Sequence, residues 1–337
     1  MKQTDSMNRR WFLALSGGLV AGAGVFGELA LGAEPGKKRK AGKKGKGGGA
    51  GKLLVTVRDV HLRDVGEKDV WSALRAIKSQ GLEIQVDADL SCPNLFGTET
   101  RYSVANEDGA KRIAENADRN GFRVTSFLMH NQFDTRGAEE VKMVAAVGRA
   151  GRIVGATAIR LDVVPRKIKD KDEFVKFAIG IMKDTVKATE DSGLKLAIEN
   201  HGGTTNQVDV LERLFDGVGS DRLGLTLDAG NFYWFGYPLD KLYEIYTKFA
   251  PRAFHTHCKS IKYPEDQRNV QRQMGWEYDK FNCPVYDGDI DFKRVAAILK
   301  AANYRGDLCI EDESLGKFKG KQGEVLAKEV AFLKELA

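Results

Sequence analysis

The chain has 337 residues and a formal net charge of +6, enough length for one large domain or two ordinary ones. The excess charge is local: residues 1 to 35 sum to zero, residues 36 to 52 carry +8, and residues 53 to 337 carry −2. An acidic balance over the long C-terminal part argues against a nucleic-acid-binding surface, and four cysteines are too few for a disulfide framework.

In chain order, Met7-Asn8-Arg9-Arg10-Trp11-Phe12-Leu13 precedes a Gly/Ala-diluted apolar run that ends at Leu31-Gly32-Ala33. Twin arginines, a moderately apolar segment and a small-x-small end resemble a twin-arginine (Tat) export leader over 1–33. The expected location is periplasmic or otherwise exported, with no integral membrane span after cleavage. Tat export moves folded proteins, which suits a metalloenzyme loaded in the cytoplasm. Residues 34–52 read as a Gly/Lys-rich disordered linker, because the tract has no apolar periodicity to bury.

From residue 53 to 337, strand-like runs alternate with amphipathic helical runs. The strands expected are Leu53 to Val57, Leu82 to Val86, Arg123 to Leu128, Ala158 to Val163, Lys195 to Glu199, Leu223 to Asp228, Ala253 to His257 and Asp307 to Glu311. Helices are expected at Val70 to Lys78, Ala110 to Asn120, Val141 to Ala150, Glu173 to Glu190, Leu239 to Phe249, Phe292 to Ala302 and Gly323 to Leu336. Eight βα units predict an α/β fold of the closed (β/α)8 TIM-barrel type. An open doubly wound sheet would need fewer strands, and no Gly-x-Gly-x-x-Gly follows the first.

Barrel enzymes carry their chemistry at the C-terminal strand ends. All five histidines, His61, His130, His201, His255 and His257, fall at or just past such ends. Glu199, Asp228, His257 and Glu311 occupy the ends of strands five to eight. Three converging carboxylates repel one another unless a cation intervenes. Oxygen donors with one imidazole suit Mn²⁺, foremost, or Mg²⁺, Co²⁺ or Zn²⁺. Separate salt bridges to lysines such as Lys195 and Lys259 are the competing explanation.

The motifs Ile198-Glu199-Asn200-His201-Gly202, Leu227-Asp228-Ala229-Gly230-Asn231, His257-Cys258-Lys259-Ser260 and Ile310-Glu311-Asp312-Glu313 make residues 53 to 337 resemble the xylose-isomerase-like barrel superfamily, the sugar phosphate isomerase/epimerase group. Asp287 to Phe292 adds to the likeness. Ser260 and Asn231 depart from it, standing where an acid and a second histidine are usual.

The resemblance implies Glu199, Asp228, His257 and Glu311 as ligands of one divalent metal ion. It also implies Glu199 and Glu311 as the acid and base of an enediolate proton transfer on a carbohydrate. His201, Asn231, Lys259, His130, His255 and Trp276 are substrate-binding candidates, with His255 one layer deeper on its strand. The run Phe232-Tyr233-Trp234-Phe235 suits packing or a subunit contact in a homo-oligomer ahead of stacking on a sugar face, and residues 261 to 289 are long enough for a lid.

Isomerase or epimerase is the leading expectation. A metal-dependent lyase or hydratase of keto-sugars could use the same enediolate. An abasic-site endonuclease would need more histidines, including one at Asn231, and a sugar-binding barrel without catalysis would need no matched Glu199 and Glu311. If the linker is only a tether, shortening Gly36 to Lys52 leaves envelope retention unchanged on cell fractionation, and loss of retention would assign the tract an adhesive role.

Overall fold

The computed structural model describes residues 52–98 and 100–337. The expected leader, 1–33, and the linker apart from Lys52 lie outside the described residues. Eight parallel strands close into one barrel: β1 (Leu54–Arg58), β2 (Gly81–Val86), β3 (Arg123–Met129), β4 (Ala158–Leu161), β5 (Lys195–Glu199), β6 (Leu223–Asp228), β7 (Ala253–Cys258) and β8 (Asp307–Ile310). Around the ring the order is β1-β8-β7-β6-β5-β4-β3-β2, and each expected strand is present within two residues at either end.

The helices start where side chains can take up free backbone N–H groups. Asn106 caps Glu107–Asn120, Asp170 caps Lys171–Ala188 and Asp291 caps Phe292–Ala301. The run expected at Val141 to Ala150 is the middle of a longer helix, Phe133–Val154, with a break in helical geometry at Arg136. Val208–Val218 fills the connection after β5 and buries Val210, Leu211, Leu214 and Phe215.

Strand alternation divides the interior in two. Val55, Val57, Leu82, Ile84, Ile159, Leu196, Ile198, Leu225 and Leu308 are buried in one continuous apolar core. The alternate residues form hydrogen bonds across the lumen. Asp307 on β8 accepts from the Thr56 and Thr125 hydroxyls, at 2.6 Å each. His255 on β7 is 3.1 Å from Ser126 on β3. Barrel lumens are commonly filled by branched apolar side chains; this one is lined by polar groups that must satisfy one another.

Residues after β7 form a built loop. Ser260–Ile261 pairs antiparallel with Asn282–Cys283, and the Arg272 guanidinium lies over the rings of Tyr233 and Tyr263. The aromatic run lies in the short helix Ala229–Phe235, where Phe232 and Tyr233 are buried. Among the described residues no helix is long and apolar enough to cross a membrane.

Glu329, in the final helix Gln322–Leu336, is fully buried and accepts a hydrogen bond from the Val285 N–H at 2.9 Å. Burial, reinforced by the carboxylate of Asp312, pushes its carboxyl well above the usual range. Folding therefore favours the neutral form. That form is freely available below the unfolded pKa of about 4.3, and stability declines as pH rises above it, until the folded group itself ionises. Glu329→Gln removes this cost. Its urea midpoint is expected to gain on the parent protein between about pH 5 and pH 8, and a difference independent of pH would contradict the assignment.

Candidate active site

Four strand ends bring Glu199, Asp228, His257 and Glu311 together, with donor atoms all within 4.8 Å of one another. From His257 Nδ1 it is 2.6 Å to Glu199 Oε1, 3.3 Å to Glu311 Oε2 and 4.0 Å to Asp228 Oδ2. Glu311 lies one residue past β8, where its N–H extends the ladder to the Cys258 carbonyl at 3.1 Å. The other His257 nitrogen, Nε2, is 2.9 Å from Glu83 Oε2 on β2. An ionised carboxylate only accepts, so Glu83 keeps the proton on Nε2 and turns Nδ1 toward the other acids.

Local structure fixes each acid. The Asn200 side chain clamps the backbone of Asp228, donating to its carbonyl and accepting from its N–H, both at 2.9 Å. Asp228 Oδ1 caps the helix Ala229–Phe235 by accepting from the Asn231 N–H at 2.8 Å. This leaves Oδ2 for the cluster. At Gly230 a Cβ would lie 2.4 Å from Lys259 Cγ and 3.0 Å from its carbonyl oxygen, so glycine lets Lys259 reach the acids.

Three cations stand among the carboxylates. The Arg160 guanidinium on β4 binds Glu199 and donates to the Met129 carbonyl at 3.0 Å. Arg58, ending β1, binds Glu311, and its Nε is 3.6 Å from Glu83. Lys259 Nζ is 2.9 Å from Glu311, 2.9 Å from Glu313 and 3.0 Å from Asp228 Oδ2. This last approach lacks hydrogen-bond geometry, so Asp228 Oδ2 is buried without a hydrogen-bond partner.

Burial opposes every one of these charges. For Glu199 the Arg160 and His257 charges outweigh it, and for Glu311 the His257, Lys259 and Arg58 charges do, so both carboxyls are held below the usual range. Asp228 is pushed up to about 7, because burial and the Glu311 and Glu199 charges exceed the help from Lys259. Burial favours a neutral His257 ring, yet Glu311, Glu83 and Glu199 hold it protonated well above its ordinary range.

Glu83, Glu199, Asp228 and Glu311 thus face Arg58, Arg160 and Lys259, and His257 supplies a fourth positive charge while it keeps its second proton. A divalent cation fits this set. It would replace that proton, find at Asp228 Oδ2 an oxygen that accepts no hydrogen bond, and meet the oxygen-rich donors with one imidazole that such ions take.

The other expected residues are placed less uniformly. His201 Nδ1 is 2.9 Å from Asp162 Oδ1 and 4.0 Å from Glu199 Oε2 at the half-open rim. Asn231 is buried beside Asp228, with Nδ2 unpartnered. His130 follows β3 and is exposed. The expectation that His255 contacts substrate does not fit its position: it is 1% exposed, with Nδ1 2.8 Å from Asp307 and Nε2 2.9 Å from Glu83. Trp276 packs its ring against Tyr263 and Phe281, centroids 5.6 Å apart in each case, which takes up ring surface otherwise free for a sugar. Lys195 lies over the Phe254 ring and donates to the Asp221 carbonyl, away from the cluster.

Sequence reasoning missed Arg58, Glu83, Arg160 and Asp162. The signal was there in Leu82-Glu83-Ile84 and Ile159-Arg160-Leu161: a charge set between apolar residues of a buried strand, the same pattern that singled out Glu199. A cavity of about 390 Å³ lies elsewhere, lined by Asn106, Glu107, Arg149, Arg152 and Asp191, and shares no residue with this rim.

With barrel, rim and donors in place, comparison with known proteins assigns the family through a match over residues 72–336. The chain belongs to the Xylose isomerase-like TIM barrel family. An inosose dehydratase from Clostridium perfringens (strain ATCC 13124) is 30% identical over 152 residues, 43% of this chain and 49% of that protein. The chain therefore spans about half the length of this curated relative. Two solved structures share the fold. A xylose isomerase domain protein from Planctomyces limnophilus superposes with TM-score 0.61 at 16% identity, covering 85% of this chain and 98% of that one. A 3-keto-D-glucoside 4-epimerase from E. coli does so with TM-score 0.59 at 12% identity, covering 84% and 100%.

Ligation requires Asp228 ionised and His257 deprotonated at Nδ1. Since Asp228 holds its proton up to about 7 and His257 holds its second proton well above its ordinary range, divalent-metal affinity is expected to rise from about pH 6 and to go on rising above about pH 8, with release of protons. Calorimetry in buffers of different ionisation enthalpy measures both, and a flat profile would contradict this charge assignment.

Proposed function

We propose that this protein is a divalent-metal-dependent carbohydrate isomerase or epimerase that moves a proton at a carbon next to a carbonyl. One observation carries the reading. Two glutamates from different sides of the rim, Glu199 and Glu311, face the same ring nitrogen of His257 at 2.6 and 3.3 Å, beside Asp228. Binding alone needs no such pair.

A divalent ion held by Glu199, Asp228, His257 and Glu311 would polarise a carbonyl and its neighbouring hydroxyl, acidifying the carbon between them. We place Mn²⁺ first because three carboxylates dominate the set. Arg160 holds Glu199 ionised at neutral pH, ready to take a proton. Glu311, bound by Arg58 and Lys259, delivers or receives a proton on the other side. Return to the same carbon epimerises, and return to its neighbour isomerises. Lys259, 5% exposed, offers an ammonium to the substrate's carbonyl oxygen, while His201 and Asn231 offer hydrogen bonds to its hydroxyls.

A dehydratase is the second reading, favoured by the inosose dehydratase relative. It uses the same first proton transfer, after which the departing hydroxyl takes a proton from the second glutamate and leaves as water. Export through the Arg9-Arg10 leader forms part of the proposal, and subcellular fractionation of the full chain tests it.

The decisive experiment incubates Mn²⁺-loaded protein with keto-sugars and keto-inositols in D2O and follows the products by NMR. Deuterium at the carbon beside the carbonyl without water loss supports the isomerase or epimerase. Net loss of water transfers the assignment to a lyase, and no exchange by metal-loaded protein overturns both. Glu199→Gln and Glu311→Gln are each expected to slow exchange by about 10²–10⁴-fold.

A further inference from the structure

We propose that the lumen holds a second metal site one layer beneath the first, formed by Glu83, His255, His257 and Cys309. Their donor atoms lie within 4.8 Å of one another, and all four residues are buried, none more than 1% exposed. They come from β2, β7 and β8, with Cys309 and His257 directly paired in the barrel register. The reaction proposed above uses neither His255 nor Cys309.

The two rings are aimed for such a role. His255 gives Nδ1 to Asp307 at 2.8 Å, and Asp307 is anchored by Thr56 and Thr125. A carboxylate on one ring nitrogen is the usual device for orienting a ligating histidine by the other. The other, Nε2, lies 2.9 Å from Glu83 Oε1. His257 is arranged in parallel: Nδ1 faces the upper acids, and Nε2 faces down to Glu83 Oε2 at 2.9 Å. The imidazole of His257 thus stands between two donor sets.

The sets differ in chemistry. The upper one has three carboxylates and an imidazole, whereas the lower has one carboxylate, two imidazoles and a thiol. Sulfur and nitrogen donors in a four-residue cage suit Zn²⁺ or Co²⁺. With four protein ligands and no solvent exposure, the site is closed and structural, tying β2, β7 and β8 across the lumen. Ligation at the lower site displaces the Nε2 proton that Glu83 otherwise holds, and with both sites filled His257 has released both ring protons and bridges the two ions as an imidazolate, so occupancy of one site alters affinity at the other.

Titration of the metal-free, full-length chain with Co²⁺ tests this. Two equivalents are expected, one of which generates a near-ultraviolet thiolate-to-cobalt charge-transfer absorption. Cys309→Ser should lose that absorption and one equivalent while still binding the other. His255→Gln is a second variant with the same expectation, and thermal melts verify that each is folded. Asp228→Asn, which disables only the upper site, should keep the absorption.

Folded parent protein that binds Co²⁺ without a thiolate band overturns the inference and leaves Glu83 as a hydrogen-bonded bridge between two rings. A thiolate band with a single equivalent, unaffected by Asp228→Asn, supports the lower site and overturns the upper metal site on which the proposed reaction depends.

Discussion

The Glu83 carboxylate lies between the imidazoles of His255 and His257, and the arrangement of the barrel mouth depends on that bridge. Glu83 comes from β2, across the ring from β7, so it fixes the orientation of His257 from the far side of the lumen. With Nε2 committed downward, Nδ1 is left to organise Glu199 and Glu311. An isolated charge at this depth would be prohibitively costly. It persists because each carboxylate meets an imidazole, a guanidinium, an ammonium or a hydroxyl.

That constraint also accounts for the unusual lumen. Apolar side chains on alternate strand positions pack outward against the helices and supply the burial that stabilises the barrel. The lumen is then free to carry chemistry. Arg58 and Arg160 are part of this division: each binds one of the two glutamates proposed to move protons, holding its carboxyl plane and its charge.

The fold was largely legible in the sequence because βα alternation is written in local periodicity, and the rim acids because Glu199, Asp228 and Glu311 each end an apolar run. Glu83 and Arg160 were obscured by the same periodicity. Leu82-Glu83-Ile84-Gln85-Val86 alternates apolar and polar residues, a pattern that elsewhere marks a strand with one wet face; only closure of the ring turns that face into a lumen. His255 and Trp276 show another limit. Residue type marked both as candidates, but Asp307 and Glu83, distant in sequence, saturate the first, and the fold of its own loop packs the rings of Tyr263 and Phe281 against the second.

Asp228 has a consequence beyond ligation. One carboxylate oxygen starts the helix Ala229–Phe235 and the other faces the cluster. That helix passes directly to the loop above it: the Trp234 carbonyl accepts from the Gly275 N–H at 2.8 Å, and Arg272 reaches the Tyr233 and Tyr237 carbonyls. The acid cluster and the loop after β7 are therefore connected through one short helix whose first turn is capped by Asp228. Whatever takes the free oxygen of Asp228 therefore acts on a residue that also holds the first turn of the helix on which the loop rests.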